Sequence, residues 1–251
     1  MSFESSGDRV SCVIPVYNES QRIGAVLGAV AGHPLVSEVI VVDDASTDDT
    51  ASIVAAAKGV RLIRLERNRG KTQALCAGIE QSAGQILLLV DGDLVGLTSA
   101  DITALLAPVL AGRADMSISL RRNTLRLWKL MGMDYISGER VFAKGWLEHR
   151  LEALRALPKF GFEVYLNGLC IERRGRIAVV LWPGVRSPFK NAKYGLLRGV
   201  RADVRMVLDI CRTVAPWRLG RQILAMLRLR VGSSAGPGDR QAASAPGEDQ
   251  R

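Results

Sequence analysis

The sequence predicts an α/β fold in which a Rossmann-like, mostly parallel sheet is flanked by helices. Three observations carry that expectation. Short aliphatic runs alternate with helix-length segments through the first 120 residues. Several runs are apolar throughout rather than alternating, as in strands covered on both faces. Polar clusters follow the first, second and fourth runs, at the strand ends where open α/β sheets bind ligands.

Residues 10–15 read as the first strand, and residues 19–31 have helical periodicity with Ile23, Val26, Leu27 and Val30 on one face. A second strand follows at 39–42. Ser46, Thr47, Asp48 and Asp49 offer a cap and an acidic first turn to a helix ending near Lys58. Strands at 60–65 and 85–90 enclose a helix at 71–81; a helix at 98–111 and a strand at 115–120 come next. Beyond residue 120 the pattern is less regular. It predicts helices at 125–131, 146–157 and 162–171, a strand at 177–182, and basic amphipathic helices at 196–214 and 217–231. Residues 1–8 and 232–251 read as tails, the second with the composition of a disordered segment.

A chain of 251 residues, 48% hydrophobic and 24% charged, can bury a sizeable core and is not disordered as a whole. Cys12, Cys76, Cys170 and Cys211 form no CxxC pair, which excludes the usual zinc patterns and points to a reducing compartment. The first ten residues lack an apolar h-region. The longest apolar runs, such as 86–90, fall far short of the ~20 residues of a membrane span, so a cytoplasmic location is expected. Charge is divided unevenly. Residues 1–120 hold nine Lys/Arg and fourteen Asp/Glu, a net of −5; residues 121–251 hold twenty-five and eleven, a net of +14. Nucleic acid, an anionic membrane surface or a phosphorylated acceptor would each fit the second half, as would a solvated basic surface.

Asp91-Gly92-Asp93 directly follows the apolar run QILLLV. Carboxylates at i and i+2 around a small residue can both reach one hard cation, magnesium or manganese. Such a cation neutralises charge building on a departing nucleoside diphosphate. Gly70-Lys71-Thr72 looks like the end of a Walker motif, but Leu65 stands where that motif needs glycine. Gly24, Gly28 and Gly32 make no dinucleotide fingerprint, and neither His33 nor His149 has a partner at metal spacing.

The stretches VSCVIPVYNES, VIVVDDASTDDT, NRGKTQAL and GQILLLVDGDL stand in the order and spacing of the nucleotide-binding half of family 2 glycosyltransferases. The chain resembles that family specifically over 10–94 and more loosely as far as Tyr194. The resemblance implies the GT-A fold, and transfer of a sugar, a hexose in type, from a UDP-, GDP- or dTDP-sugar with Mg2+ or Mn2+. It matches Pro15, Tyr17 and Glu19 to the segment that wraps the nucleobase. Asp43 and Asp44 match the acidic pair near base and ribose, where a carboxylate can accept from a uracil N–H or a hydroxyl. A turn-stabilising role for Asp44 stays open beside this. Lys71 falls near the diphosphate, and Asp91 and Asp93 hold the metal, Asp93 as a catalytic residue. On this reading residues 9–120 are the nucleotide-sugar half and 121–231 the acceptor half.

Ser137-Gly138-Glu139-Arg140 is similar to the piece of family members that lies where donor sugar meets acceptor, and polyprenyl-phosphate glycosyltransferases share it. Gly138, Glu139 and Arg140 are therefore acceptor candidates, with the Arg140 fork suited to a phosphate or carboxylate. Residues 160–164 resemble a stretch of glucosyl-3-phosphoglycerate synthases whose glutamate faces the sugar. Glu163 is thus a catalytic candidate, for hydroxyl contacts or as general base; a helix-start glutamate serving the dipole is the other reading. GVRSPFKNAKYG lacks the histidine with which those synthases help bind metal, and no acidic ED pair precedes an arginine as in inverting members. The third metal ligand and the stereochemistry stay open. The expected partners are a nucleotide-sugar and an anionic acceptor, a phosphorylated small molecule or a polyprenyl phosphate, with no nucleic acid. Residues 217–231 fit either peripheral contact with the inner face of a membrane or packing on the catalytic domain. Two other classes compete: a sugar nucleotidyltransferase, whose glycine-rich N-terminal loop VIPVYNES lacks, and a non-catalytic basic protein binding membrane or nucleic acid, which would leave Asp91 and Asp93 unused.

Overall fold

Among the described residues seven strands, most of them buried and apolar, assemble into one sheet in the order β3-β2-β1-β4-β6-β5-β7, with β3 (VRLIR) at an edge and partly exposed. They are β1 (Val10–Val16), β2 (Glu38–Asp43), β3 (Val60–Arg64), β4 (Ile86–Leu89), β5 (Met116–Arg121), β6 (Arg140–Ala143) and β7 (Ile177–Trp182). The computed structural model describes residues 9–157, 160–187 and 215–231. Helical crossovers make β1 to β4 parallel; only β6 runs against its neighbours, between β4 and β5.

Eight helices are described: α1 (Ile23–Val30), α2 (Thr50–Ala56), α3 (Lys71–Glu80), α4 (Ser99–Leu110), α5 (Arg126–Met131), α6 (Leu151–Arg155), α7 (Gly161–Glu172) and α8 (Pro216–Arg228). Because successive strand residues point to opposite faces, each strand feeds two cores. Cys12, Ile14, Val41 and Leu88 pack under α1 and α4 with Ile23, Val26, Ile102 and Leu105. Val13, Leu87 and Leu89 meet Leu75, Ile79, Trp128, Phe162, Leu219 and Met226 from helices on the other face.

The strand and helix expectations over the first 120 residues each fall on an element, with shifted ends. Residues 19–22 are a turn rather than helix, because the loop after β1 is tied to the loop after β2. Glu19 N donates to Thr50 Oγ1 at 2.8 Å and Asn18 N to Ser46 Oγ at 2.9 Å. Of the four residues expected to cap α2, Asp48 meets its start by accepting from Thr50 N at 3.0 Å. The single helix expected at 146–157 is broken into a 3-10 turn (Lys144–Leu147) and α6, with His149 at φ 58° between them. β6 was not foreseen. The helix expected at 196–214, both tails and Cys211 lie outside the described residues.

Cys12, Cys76 and Cys170 are buried free thiols. His33 is buried, its Nε2 within 3.1 Å of the Ser99 carbonyl oxygen and 3.0 Å of Thr103 Oγ1, which ties the α1 loop to α4. Among the described residues no helix is long and apolar enough to cross a membrane. α4 opens with a capping box: Thr98 Oγ1 accepts from Asp101 N, and the Asp101 carboxylate accepts from Thr98 N. Thr98→Ala is expected to cost about 1 kcal/mol and lower Tm by about 2–4 °C in a thermal melt.

Candidate active site

β1, β2 and β4 are adjacent and parallel, so the loops after them converge at one sheet edge. There they form a cleft of about 180 Å³ lined by Pro15, Tyr17, Glu19, Asp44, Lys71, Asp91 and Asp93, among others. Gly92 allows the closeness: a Cβ on it would stand 2.4 Å from Val16 Cγ1, so only glycine lets the turn after β4 lie on β1.

Lys71, the first residue of α3, reaches across to Asp91 Oδ1 at 2.6 Å and to Glu163 Oε1 at 3.2 Å. Partial desolvation would lower the lysine pKa, but the Asp91 and Glu163 carboxylates outweigh it and raise the pKa. Asp91 is held below the ordinary carboxylate range: burial opposes its charge, and Lys71 with Arg121 overcomes that. Asp93 behaves in the opposite way. Burial, then the Asp91 and Glu19 carboxylates, push its carboxyl up to about 6. Its Oδ1 is buried with no hydrogen-bond partner.

An orphaned carboxylate oxygen two residues from a second carboxylate fits a hard divalent cation. Among the described residues no group of three or more His, Cys, Asp or Glu is placed to hold a metal. A cation here would draw the rest of its shell from water and phosphate oxygens, as magnesium commonly does.

The other acidic pair divides its work. Asp44 lines the cleft and accepts from Arg69 N and Gly70 N, both at 2.7 Å, so it pins the loop that presents Lys71. Asp43 is fully buried, accepting from Ser46 N at 3.1 Å and Arg64 Nε at 3.2 Å. It joins β2 to β3 and is not brought to the cleft.

Gly138 does reach the cluster. A Cβ on it would stand 2.6 Å from both Asp91 oxygens and from Lys71 Nζ. Gly138→Ala is expected to leave Tm within about 2 °C, since flexible side-chain ends can give way, while turnover falls about 100-fold. An unchanged rate would sink that view of Gly138.

Arg140 is the clearest departure from expectation. It is fully buried. Its guanidinium donates to the carbonyls of Ser137 (2.7 Å) and Tyr135 (2.8 Å) and to Asn167 Oδ1 (2.5 Å). Burial acts to lower its pKa, with the Glu163 and Asp134 carboxylates opposing. Its fork is spent inside the fold and does not face an acceptor. Glu139 is also buried, accepting from Ser119 Oγ (2.7 Å), Ser137 Oγ (2.9 Å) and Arg121 Nη1 (3.1 Å).

Arg121 is the residue that sequence reasoning missed. It ends β5, is held by Glu139 with Asp134 at 3.5 Å, and keeps a buried Nε without a partner. Its charge acts on Asp91. The available signal was positional: a basic residue at the carboxyl end of a strand, as with the aspartates after β4.

Comparisons with known proteins agree with this geometry. The model of Glycosyl transferase family 2 matches residues 11–166. A dodecaprenyl-phosphate galacturonate synthase of Rhizobium johnstonii is 34% identical over 125 residues, which is 45% of this chain but only 36% of that protein. An undecaprenyl-phosphate 4-deoxy-4-formamido-L-arabinose transferase of Yersinia pestis is 28% identical over 241 residues, covering 87% of this chain and 72% of that protein. A glucosyl-3-phosphoglycerate synthase of Mycobacterium tuberculosis, solved with Mn2+, UDP and glucosyl-3-phosphoglycerate, has a TM-score of 0.62 at 24% identity, covering 83% of this chain and 80% of that one. That likeness shows the fold, the GT-A arrangement expected above. With a family match over more than half its length, and an Asp-Gly-Asp turn at the converging strand ends, the chain belongs to glycosyl transferase family 2.

Proposed function

We propose that this glycosyltransferase moves a sugar from a nucleotide-diphosphate donor to a polyprenyl phosphate. The observation that carries the donor half is the unpartnered, buried Asp93 Oδ1 beside Asp91 and Lys71 in the cleft after β1, β2 and β4. Asp91 and Asp93 would hold a magnesium or manganese ion, which supplies neutralisation of the departing diphosphate. Tyr17, 41% exposed at the cleft rim, offers a ring face to a nucleobase, and Pro15 and Glu19 border it. Lys71 adds a positive charge that Asp44 and Glu163 position from two sides. Glu163 acts on this reading through Lys71 rather than as a base, because its Oε1 already faces the ammonium.

The acceptor half is supported by the Yersinia relative, aligned over 87% of this chain, and by Arg121. The guanidinium of Arg121 stands at the carboxyl end of β5 with one buried donor still unpaired, suited to a phosphate oxygen. Contact with a membrane that carries such an acceptor agrees with the positive second half.

The test uses the full chain, labelled UDP-, GDP- and dTDP-sugars, manganese or EDTA, and either a short-chain prenyl phosphate or 3-phosphoglycerate. Label is expected on the prenyl phosphate with manganese only. Label on 3-phosphoglycerate alone would replace the lipid acceptor, and transfer that survives EDTA would remove the metal.

A further inference from the structure

Two helices of the second half leave large apolar side chains in water. Their inner sides are well packed: α5 buries Trp128, which stacks on Tyr135 at 5.8 Å, and α8 buries Leu219 and Met226 in the same core. Their outer sides carry Leu127 (52% exposed) and Leu130 (87%) on α5, and Trp217 and Leu224 (59% each) on α8. Each such side chain left exposed forgoes the gain of removing its apolar surface from water. The two segments are tied together at their ends: Arg230 Nη1, just past α8, donates to the Met131 carbonyl at the end of α5 at 3.0 Å, and Tyr135 Oη, in the loop after α5, donates to Gln222 on α8.

Charge on this surface has one sign. Residues 122–131 and 216–230 together hold seven Lys/Arg and no Asp/Glu. On α8 the exposed positions Trp217, Arg221, Leu224 and Arg228 repeat at helical spacing, so apolar and cationic groups share one stripe. The guanidinium groups of Arg218 and Arg221 stand 5.1 and 5.9 Å from the centre of the Trp217 ring.

We infer that the outer faces of α5 and α8 dock on an anionic phospholipid bilayer. Trp217, Leu224, Leu127 and Leu130 enter the headgroup region while the arginines meet lipid phosphates. A nucleic acid would use the charge but leave the leucines in water; a bilayer uses both. The inference stands on exposure and charge, and it goes beyond the proposed reaction by fixing which side of the protein meets the lipid. α5 starts five residues after Arg121, so its amino end adjoins the carboxyl edge of the sheet where the cleft opens.

Trp128, Trp146 and Trp182 are buried, so Trp217 is the exposed tryptophan and reports on this surface. The full chain should pellet with sucrose-loaded phosphatidylglycerol-containing vesicles and about tenfold less with pure phosphatidylcholine. Its tryptophan emission should shift to the blue and be quenched by brominated lipid. Trp217→Ser combined with Leu224→Ser should cut partitioning about tenfold with the circular-dichroism melt unchanged. Arg221→Glu with Arg228→Glu should abolish the preference for anionic lipid. No pelleting of the wild type, no blue shift, or wild-type pelleting by both double variants would overturn the surface. So would tighter binding to RNA than to vesicles that the Trp217/Leu224 variant retains. Vesicle binding without transfer to any prenyl phosphate would sink the proposed reaction and leave the surface standing; transfer without vesicle binding would do the reverse.

Discussion

Asp93→Asn is expected to lower sugar transfer by about a thousandfold or more while making the metal-free protein more stable. The loss follows from the role of the cation: removing one of two protein carboxylates costs about 4 kcal/mol of stabilisation of the leaving diphosphate. The stability gain follows from the resting geometry. The Asp93 carboxylate is largely buried, faces Asp91 and Glu19, and has one oxygen without a partner. Neutralising it should return about 1 kcal/mol, or about 2–4 °C in Tm for a chain of this size, in chelator at neutral pH. Asp91→Asn should behave differently, because it removes the 2.6 Å partner of Lys71 and should lower Tm. Manganese should raise the wild-type Tm and leave Asp93→Asn unmoved. Activity within a few-fold of wild type in Asp93→Asn, or a Tm drop as large as that of a core variant, would refute the division of roles between the two aspartates.

That division shows where sequence and structure part. The β-branched runs, and polar residues just beyond them, were readable because a buried parallel strand needs apolar side chains on both faces and its carboxyl end is where the chain can turn polar. Pro15, Tyr17, Glu19, Asp44, Lys71, Asp91 and Asp93 meet in one cleft for that reason. Adjacent Asp43 and Asp44 could not be told apart, since consecutive side chains at a strand end point to opposite sides. One lands beside Arg64 and the other in the cleft. β6 was hidden because four residues carry too short a pattern, and because its first residue is an arginine. Only the antiparallel pairing of Leu89 with Arg140, and of Ile118 with Arg140, shows that this residue lies inside the sheet. The Arg121–Glu139 contact joins segments eighteen residues apart in sequence, a distance no local periodicity reports.

Arg140 carries the second large expected effect, and it separates a fold role from an acceptor role. A guanidinium that bonds an acceptor phosphate at a site open to solvent can be truncated with the fold intact. This one is enclosed, and no carboxylate lies within ion-pair distance of it among the described residues. Two backbone carbonyls and the Asn167 amide supply its hydrogen bonds instead. Arg140→Ala would leave the Ser137 carbonyl and Asn167 Oδ1 buried without this donor, while the Tyr135 carbonyl keeps the Asn167 Nδ2 bond at 2.9 Å, and would open a cavity beneath β6. The expected cost is about 3–5 kcal/mol, a fall in Tm of about 10 °C or more, with much of the protein insoluble. Arg140→Lys keeps the charge but cannot span three acceptors in a plane, and should fall between wild type and Arg140→Ala. β6 sits between β4, which leads to Asp91, and β5, which leads to Arg121, so lost transfer should track lost folded protein rather than a selective rise in acceptor KM. A soluble Arg140→Ala with wild-type Tm and only the acceptor KM raised would put Arg140 back at the acceptor, as the sequence first indicated.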